Sequence, residues 1–138
     1  MKVVFSSGKI KKIERCVVTL GVFDGLHLGH LKILKKVTRY AQQIKGKSVV
    51  VTFSPHPQKE LYLYSLQHRL RLFKEIGIDV CIIIRFTDAF SKVSAQAFIE
   101  NFLIRRLRPY GIFVGSNFTF GKKAAGTPLL LKKYAFPS

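Results

Sequence analysis

Two histidines three residues apart, His27 and His30, bracket Leu28-Gly29 and give the string His-x-Gly-His. Imidazoles donate hydrogen bonds near neutral pH, more strongly when protonated, so a pair at this spacing can point at one phosphate group. The neighbours suit such a ligand. Gly21, Gly25 and Gly29 punctuate the run from Gly21 through Val22, Phe23, Asp24 and Gly25 to His30. Glycines there let the backbone turn tightly and come close to a bound group. Two other readings stand beside this one: a metal pair at i and i+3, or ordinary turn residues. A metal asks for a third ligand, and the sequence places none of suitable type nearby. Asp24 reads equally as a turn residue capping Gly25 and Leu26 or as a group that orients a phosphate or Mg²⁺.

The elements around the string place it at a strand-to-helix turn. The apolar run Val17-Val18-Thr19-Leu20 predicts a buried strand over about residues 16–21. Leu31, Leu34, Val37, Ala41 and Ile44 recur at helical spacing and predict a helix over about 30–45, closed by Gly46. A helix opening there presents unpaired N–H groups and the positive end of its dipole to an anion. Further on, residues 48–53 form a second strand, stopped by Pro55 and Pro57. Leu66, Leu70, Phe73 and Ile76 mark a second helix ended by Gly77, and residues 79–84 a third strand. Ser94 predicts the N-cap of a third helix, with Phe98, Phe102 and Leu103 inward and Arg105, Arg106 and Arg108 in its last turn before Pro109. Residues 112–114 form a fourth strand. Residues 1–15 are a lead-in with a short edge strand at 3–5, and residues 129–134 start a last helix. Alternating strands and helices imply one parallel sheet with helices on both faces, a doubly wound Rossmann-like α/β domain.

The 138 residues suffice for one domain with a core, and 48% of them are apolar, which excludes a disordered chain. No apolar run reaches the length of a membrane span, and the N-terminus lacks a secretory h-region, so the expected setting is the cytoplasm. Cys16 and Cys81 sit in strand-like runs and read as buried reduced thiols. The formal net charge of +17 suits nucleic acid. The basic residues are scattered along the chain, however, and no zinc-finger or RNA-recognition signature accompanies them. A solvated basic surface that attracts anionic nucleotides is the plainer reading. After Glu100 the chain carries no acidic residue, so its C-terminal third is where a nucleic-acid or partner surface would lie.

His-x-Gly-His at such a turn resembles the signature of the nucleotidylyltransferase superfamily. The ten residues Gly21 to His30 narrow the likeness to the FMN adenylyltransferase module of bacterial FAD synthetases, the bifunctional riboflavin kinase/FMN adenylyltransferase family. Val50-Val51-Thr52-Phe53 followed by Ser54-Pro55-His56-Pro57 is similar to that family again, as is Gly115-Ser116-Asn117-Phe118-Thr119-Phe120-Gly121. The resemblance implies transfer of AMP from ATP to FMN, giving FAD and pyrophosphate. It implies that His27 and His30 are the catalytic pair, and that Gly21, Val22, Phe23, Asp24, Gly25 and Gly29 bind ATP. It implies that Phe53, Pro55, His56, Pro57, Asn117, Phe118 and Phe120 shape the FMN side. Mg²⁺ would arrive on ATP rather than on a protein site. After Gly121 the family pattern has an arginine and then Gly-Asp, where this chain reads Lys122-Lys123-Ala124-Ala125-Gly126-Thr127. Either lysine could supply the charge.

The resemblance runs from about Val17 to about Leu131. In the family the module continues into a second signature, Ile-Ser-Ser-Thr-x-x-Arg, and a riboflavin kinase barrel, and neither occurs in these residues. The expectation is one incomplete adenylyltransferase domain over residues 1–138, without kinase activity, completed by a missing C-terminal segment or a partner. Rival readings are a non-catalytic flavin- or nucleotide-binding module and a basic nucleic-acid-binding α/β protein. Pantetheine-phosphate adenylyltransferase, which also carries His-x-Gly-His, is a lesser rival that the Phe-Ser-Pro-His-Pro and Asn-Phe-Thr-Phe-Gly strings disfavour. His56 also reads as a plain loop residue, and His68, outside any motif, as a surface one.

Overall fold

The computed structural model describes residues 1–5, 12–23, 28–54 and 66–134. Its elements follow the alternation read from the sequence. They are β1 (Lys2–Phe5), β2 (Cys16–Leu20), α1 (Leu28–Gln43), β3 (Lys47–Ser54), α2 (Leu66–Ile76), β4 (Val80–Arg85), α3 (Asp88–Ser91), α4 (Ala95–Phe98), a π-helical segment (Ile99–Leu107), β5 (Gly111–Val114), a 3₁₀ turn (Lys122–Ala124) and α5 (Pro128–Lys132). The five strands form one sheet in the order β1-β4-β3-β2-β5, all parallel. The chain therefore winds outward from β2 through β3 to β4, then crosses back to place β5 on the other side of β2. The first strand takes the edge, as expected of residues 3–5.

Strand side chains divide cleanly between the two faces, as a period of two requires. Val17, Val50, Cys81 and Ile83 face α1 and α2, where Leu34, Val37, Ala41 and Phe73 cover them. Cys16, Val18, Leu20, Val49, Val51, Phe53, Ile82 and Ile84 face α4 and the π-helical segment, against Phe98, Ile99, Leu103 and Leu107. Both faces are dry, which is why the strands read as continuous apolar runs. The start of the β3–β4 pair is locked by a reciprocal clamp. Asp79 Oδ2 accepts from Ser48 N–H (2.9 Å) and Ser48 Oγ (3.1 Å), while Asp79 N–H donates to Ser48 Oγ (2.9 Å).

Some local expectations are met and others move. Ser94 Oγ accepts from Ala97 N–H and caps α4 as predicted. Gly77 takes a φ of 105° at the end of α2. Helix α1 opens at Leu28, two residues before the predicted start, so Gly29 and His30 stand inside its first turn. Its C-terminus is also different. Lys45 takes the left-handed conformation (φ 54°), and Gly46 serves another need: a Cβ there would collide with the Arg15 carbonyl oxygen. The helix predicted after Ser94 turns from α to π at Ile99. Among its buried residues, Ala95, Ile99, Leu103 and Leu107 recur every fourth position, beyond the 3.6-residue α period, with Phe98 buried beside them. A helix part α and part π has a mean period close to that spacing.

Both cysteines are free and buried. Burial pushes the Cys16 thiol up to about 11 and the Cys81 thiol up to about 12, with the Arg69 cation pulling the second partly back. Cys16 Sγ donates to the Leu107 carbonyl (3.1 Å). An unfolded thiol titrates near 8.5, so above about that pH the unfolded chain releases protons that the folded chain keeps. Stability supplied by the buried neutral thiols is complete below that range and falls as pH rises through it, by up to about 1.4 kcal/mol per pH unit for each thiol. Urea midpoints between neutral pH and about pH 10 should fall more steeply for the wild type than for Cys16→Ala/Cys81→Ala. Parallel slopes would refute the assignment.

Candidate functional site

In a doubly wound sheet, ligands bind beyond the C-terminal ends of the strands, where neighbouring connections leave in opposite directions. Here that point lies between β2 and β5. A cavity of about 500 Å³ opens there. It is lined by Leu20, Gly21, Val22 and Phe23 after β2, by Gly29, His30 and Ile33 of α1, and by Gly115, Ser116, Asn117 and Phe118 after β5. The first turn of α1 borders it, so the helix's unpaired N–H groups and positive dipole end lie beside the cavity.

The turn after β2 is held from several sides. Gly21 N–H donates to the Val51 carbonyl (3.1 Å), extending the sheet by one bond. The Val22 carbonyl accepts from Thr52 Oγ1 (3.0 Å) and from the Arg69 guanidinium (2.7 Å), and the same Arg69 nitrogen donates to Thr52 Oγ1 (3.2 Å). Arg69 is wholly buried at 0% exposure. Phe23 has a φ of 60°, a conformation bulky residues seldom adopt. Its ring meets His30 edge-on (centroids 5.4 Å, 74°) and Phe73 edge-on (5.6 Å, 82°). That ring also explains Gly21, because a Cβ there would stand 2.8 Å from Phe23 Cε2. Across the cavity, Phe118 N–H donates to the Gly115 carbonyl (3.1 Å), a turn that carries Ser116 and Asn117 at its exposed corner.

A second cavity of about 240 Å³ adjoins the first. Its walls are largely aromatic: Phe53, Phe86, Phe90, Phe118 and Phe120, with Lys123 and Ser91 among the polar residues. The rings support one another. Phe90 contacts Phe53 (6.0 Å), Phe86 (5.7 Å) and Phe98 (6.0 Å), and Phe118 lies nearly parallel to Phe120 (5.9 Å, 19°). Phe120 and Gly126 exchange two backbone hydrogen bonds (3.1 and 2.8 Å), and a Cβ on Gly126 would press into the Phe120 ring at 2.6 Å. Val22 and Phe118 line both cavities.

The residues singled out in the sequence fall into three groups. Gly21, Val22, Phe23, Gly29, His30 and Asn117 meet in the larger cavity. Phe53 and Phe120 stand in the smaller one, with Phe118 between them. Asn117 is thus grouped with the turn after β2 rather than with Phe53 and Phe120. Asp24, Gly25, His27, Pro55, His56 and Pro57 lie outside the described residues. Sequence reasoning missed Phe86, Phe90 and Arg69. Phe86 directly follows β4, and the C-terminal ends of parallel strands are where a site is to be sought. Arg69 carried no such signal, since it reads as one more cation on a basic helix. Among the described residues, no group of three or more His, Cys, Asp or Glu side chains could hold a metal ion. No helix among them is long and apolar enough to cross a membrane.

Known proteins match this chain along nearly its whole length. It is 36% identical over 127 residues to the bifunctional riboflavin kinase/FMN adenylyltransferase of Listeria monocytogenes, covering 86% of this chain and 40% of that protein. It is 33% identical over 144 residues to the like-named protein of Buchnera aphidicola from Schizaphis graminum (99% and 46%). It is 35% identical over 128 residues to that of Escherichia coli K12 (87% and 41%). The chain spans less than half the length of these relatives. A crystal structure titled as a macrolide-efflux protein from Streptococcus pneumoniae superposes with a TM-score of 0.81 at 26% identity, covering 97% of this chain and 47% of that one. The sequence profile of FAD synthetase matches residues 9–137. With that match over almost the entire sequence, the chain belongs to the FAD synthetase family.

Proposed function

We propose that this chain is an FMN adenylyltransferase, which joins the AMP of ATP to FMN and releases pyrophosphate. The observation that carries the reading is the pair of adjoining cavities that share Val22 and Phe118. One lies beside a helix N-terminus and carries His30; the other is aromatic and offers the faces on which a flavin ring stacks. Two substrates bound in such cavities have their phosphates at the shared wall.

The reaction needs no nucleophile from the protein. An oxygen of the FMN phosphate attacks the α-phosphorus of ATP, the bond from that phosphorus to its bridging oxygen breaks, and pyrophosphate carries away the charge. What the chain supplies is positioning and stabilisation of that charge. His30, with His27, donates hydrogen bonds to the triphosphate, and N–H groups at the start of α1 hold a phosphate. Gly21, Val22 and Phe23 face the adenosine side, and Asp24, Gly25 and Gly29 belong to the ATP side in this reading. Phe53, Phe118 and Phe120, with Phe86 and Phe90, enclose the flavin, and Lys123 lends a cation at that cavity. Pro55, His56 and Pro57 belong to the FMN side in this reading. Asn117, on the larger cavity, is placed to bond whichever substrate crosses the shared wall. Mg²⁺ enters with ATP as part of the substrate. We read residues 1–138 as one adenylyltransferase domain acting in the cytoplasm, a setting that suits two free buried thiols, and we expect no riboflavin phosphorylation from it.

FAD formation from FMN, ATP and Mg²⁺ by the purified chain tests this. The His27→Ala/His30→Ala double variant should lose at least about a hundredfold in kcat, the usual effect of removing transition-state donors, while keeping the wild-type circular dichroism spectrum. A folded chain that quenches FMN fluorescence yet makes no FAD would mark a binding module instead. Phe86→Leu should raise the KM for FMN about three- to tenfold and leave that for ATP unchanged, as loss of an aromatic contact implies; equal shifts in both would sink the flavin assignment. Arg69→Met should lower the urea unfolding free energy by roughly 2 kcal/mol, since hydrogen bonds from a charged donor contribute about 1.5–3 kcal/mol each. It should also raise the KM for ATP, and an unchanged KM would separate Arg69 from the site.

A further inference from the structure

The +17 charge of the chain is scattered along its sequence, but the fold gathers part of it. At the N-terminal end of the sheet, opposite the two cavities already described, a groove of about 640 Å³ is lined by Lys12, Arg15, Lys45, Arg105, Arg106 and Arg108. Glu14 is the one acidic residue in its lining. Three separate segments build it: the approach to β2, the turn between α1 and β3, and the end of the π-helical segment. Backbone hydrogen bonds tie the first two segments and Tyr110 to the strands and close the end of the π-helical segment on itself. Lys47 N–H donates to the Arg15 carbonyl (2.9 Å), Tyr110 N–H to the Cys16 carbonyl (2.8 Å) and Arg108 N–H to the Leu103 carbonyl (2.8 Å).

Helix dipoles explain only part of this cluster. Lys45, Arg105, Arg106 and Arg108 lie at or just beyond the C-termini of α1 and the π-helical segment, where the negative end of the dipole favours a cation. Lys12 and Arg15 belong to no helix. The two helix ends bring only about half a negative charge each, so together with Glu14 they leave most of the six cations uncompensated. Arg15, Lys45 and Arg108 also all adopt positive φ (52°, 54° and 42°). Glycine or asparagine takes such positions at least cost, and here each is a long cation.

We infer that this groove binds single-stranded nucleic acid, through phosphates on its cations and a base stacked on Tyr110. Charges drawn from three segments around a concave surface match a chain of phosphates better than one anion. Tyr110 lines the groove and is 48% exposed, an aromatic face held at its rim. Such faces strengthen binding by stacking on a base irrespective of its identity. An acidic protein segment would match the charge and leave that ring without a use.

The test is fluorescence anisotropy of labelled oligo(dT) and oligo(U) of about twelve nucleotides with the 138-residue chain, titrated across salt. Binding through about four phosphates gives a log–log salt slope near −3. Arg105→Gln/Arg106→Gln should weaken binding at least about tenfold at roughly 100 mM KCl, and Tyr110→Leu at least about fivefold. Lys35→Gln/Lys36→Gln removes the same charge from the exposed face of α1 and should cost less than about threefold. Circular dichroism checks that each variant folds. Three outcomes would overturn the proposal: no binding at that salt, equal losses from the groove and α1 pairs, or competition by an oligoglutamate of the same length as effective as unlabelled oligo(dT).

Discussion

The carbonyl of Val22 is the point at which the site is joined to the core. It accepts from Thr52 Oγ1 at 3.0 Å and from Arg69 at 2.7 Å. A guanidinium with 0% exposure is costly to bury, and only well-made hydrogen bonds offset that cost. Those bonds run from α2, across the end of β3, to the turn that leaves β2. Three elements distant in sequence therefore agree on where one peptide lies. Once that peptide is placed, Phe23 follows in its left-handed conformation, its ring lodges between Phe73 and His30, and Gly21 has to lack a side chain. The orientation of His30 towards the larger cavity thus depends on packing under the sheet as much as on its own helix.

Parallel topology also sorts the chemistry between the two ends of the molecule. Every helix that returns the chain to a parallel strand runs against the strands, so its N-terminus lies at their C-terminal ends. Partial positive charge collects on that side, where the lining of the larger cavity has glycines and no lysine or arginine. Partial negative charge collects on the other side. There the chain places Lys45, Arg105, Arg106 and Arg108, and overshoots what the two helix ends require. One rule of secondary structure, applied to both edges of one sheet, sets a cavity beside a helix N-terminus at one end and a side-chain-lined basic groove at the other.

The sequence carried the fold through features whose physics is local. The continuous burial of β3, the Ser94 cap and the φ of Gly77 all follow from residues within a few positions of one another. The larger cavity was legible for the same reason, since Gly21 to Phe23 leave β2 and Gly29 and His30 open α1 only a few positions later. What could not be read was set by contacts between distant segments. Gly46 looks like a helix stop and is in truth a spacer for the Arg15 carbonyl. The π-helical segment depends on matching a four-residue stripe to the sheet face it covers. Arg69 gave no hint of burial, because only the tertiary fold brings the Val22 carbonyl to it. Phe86 and Phe90 belong to no motif in the sequence, and only the fold sets them against Phe53 and Phe120.

The wall shared by the two cavities shows how these distant contacts meet. Phe118 stacks on Phe120, Phe120 packs on Phe98, and Phe98 stacks on Phe102 in the π-helical segment (5.2 Å, 17°). Val22, on the other side of that wall, is tied to Thr52 and Arg69. The wall is therefore anchored to both faces of the sheet, through aromatic packing on one and hydrogen bonds to a buried cation on the other. Cores this densely packed change arrangement in discrete steps rather than by gradual deformation. A shift in Phe118 large enough to open one cavity must displace a stacked ring of the other. Packing on one side of this wall is thereby linked to packing on the other, because Val22 and Phe118 line both cavities.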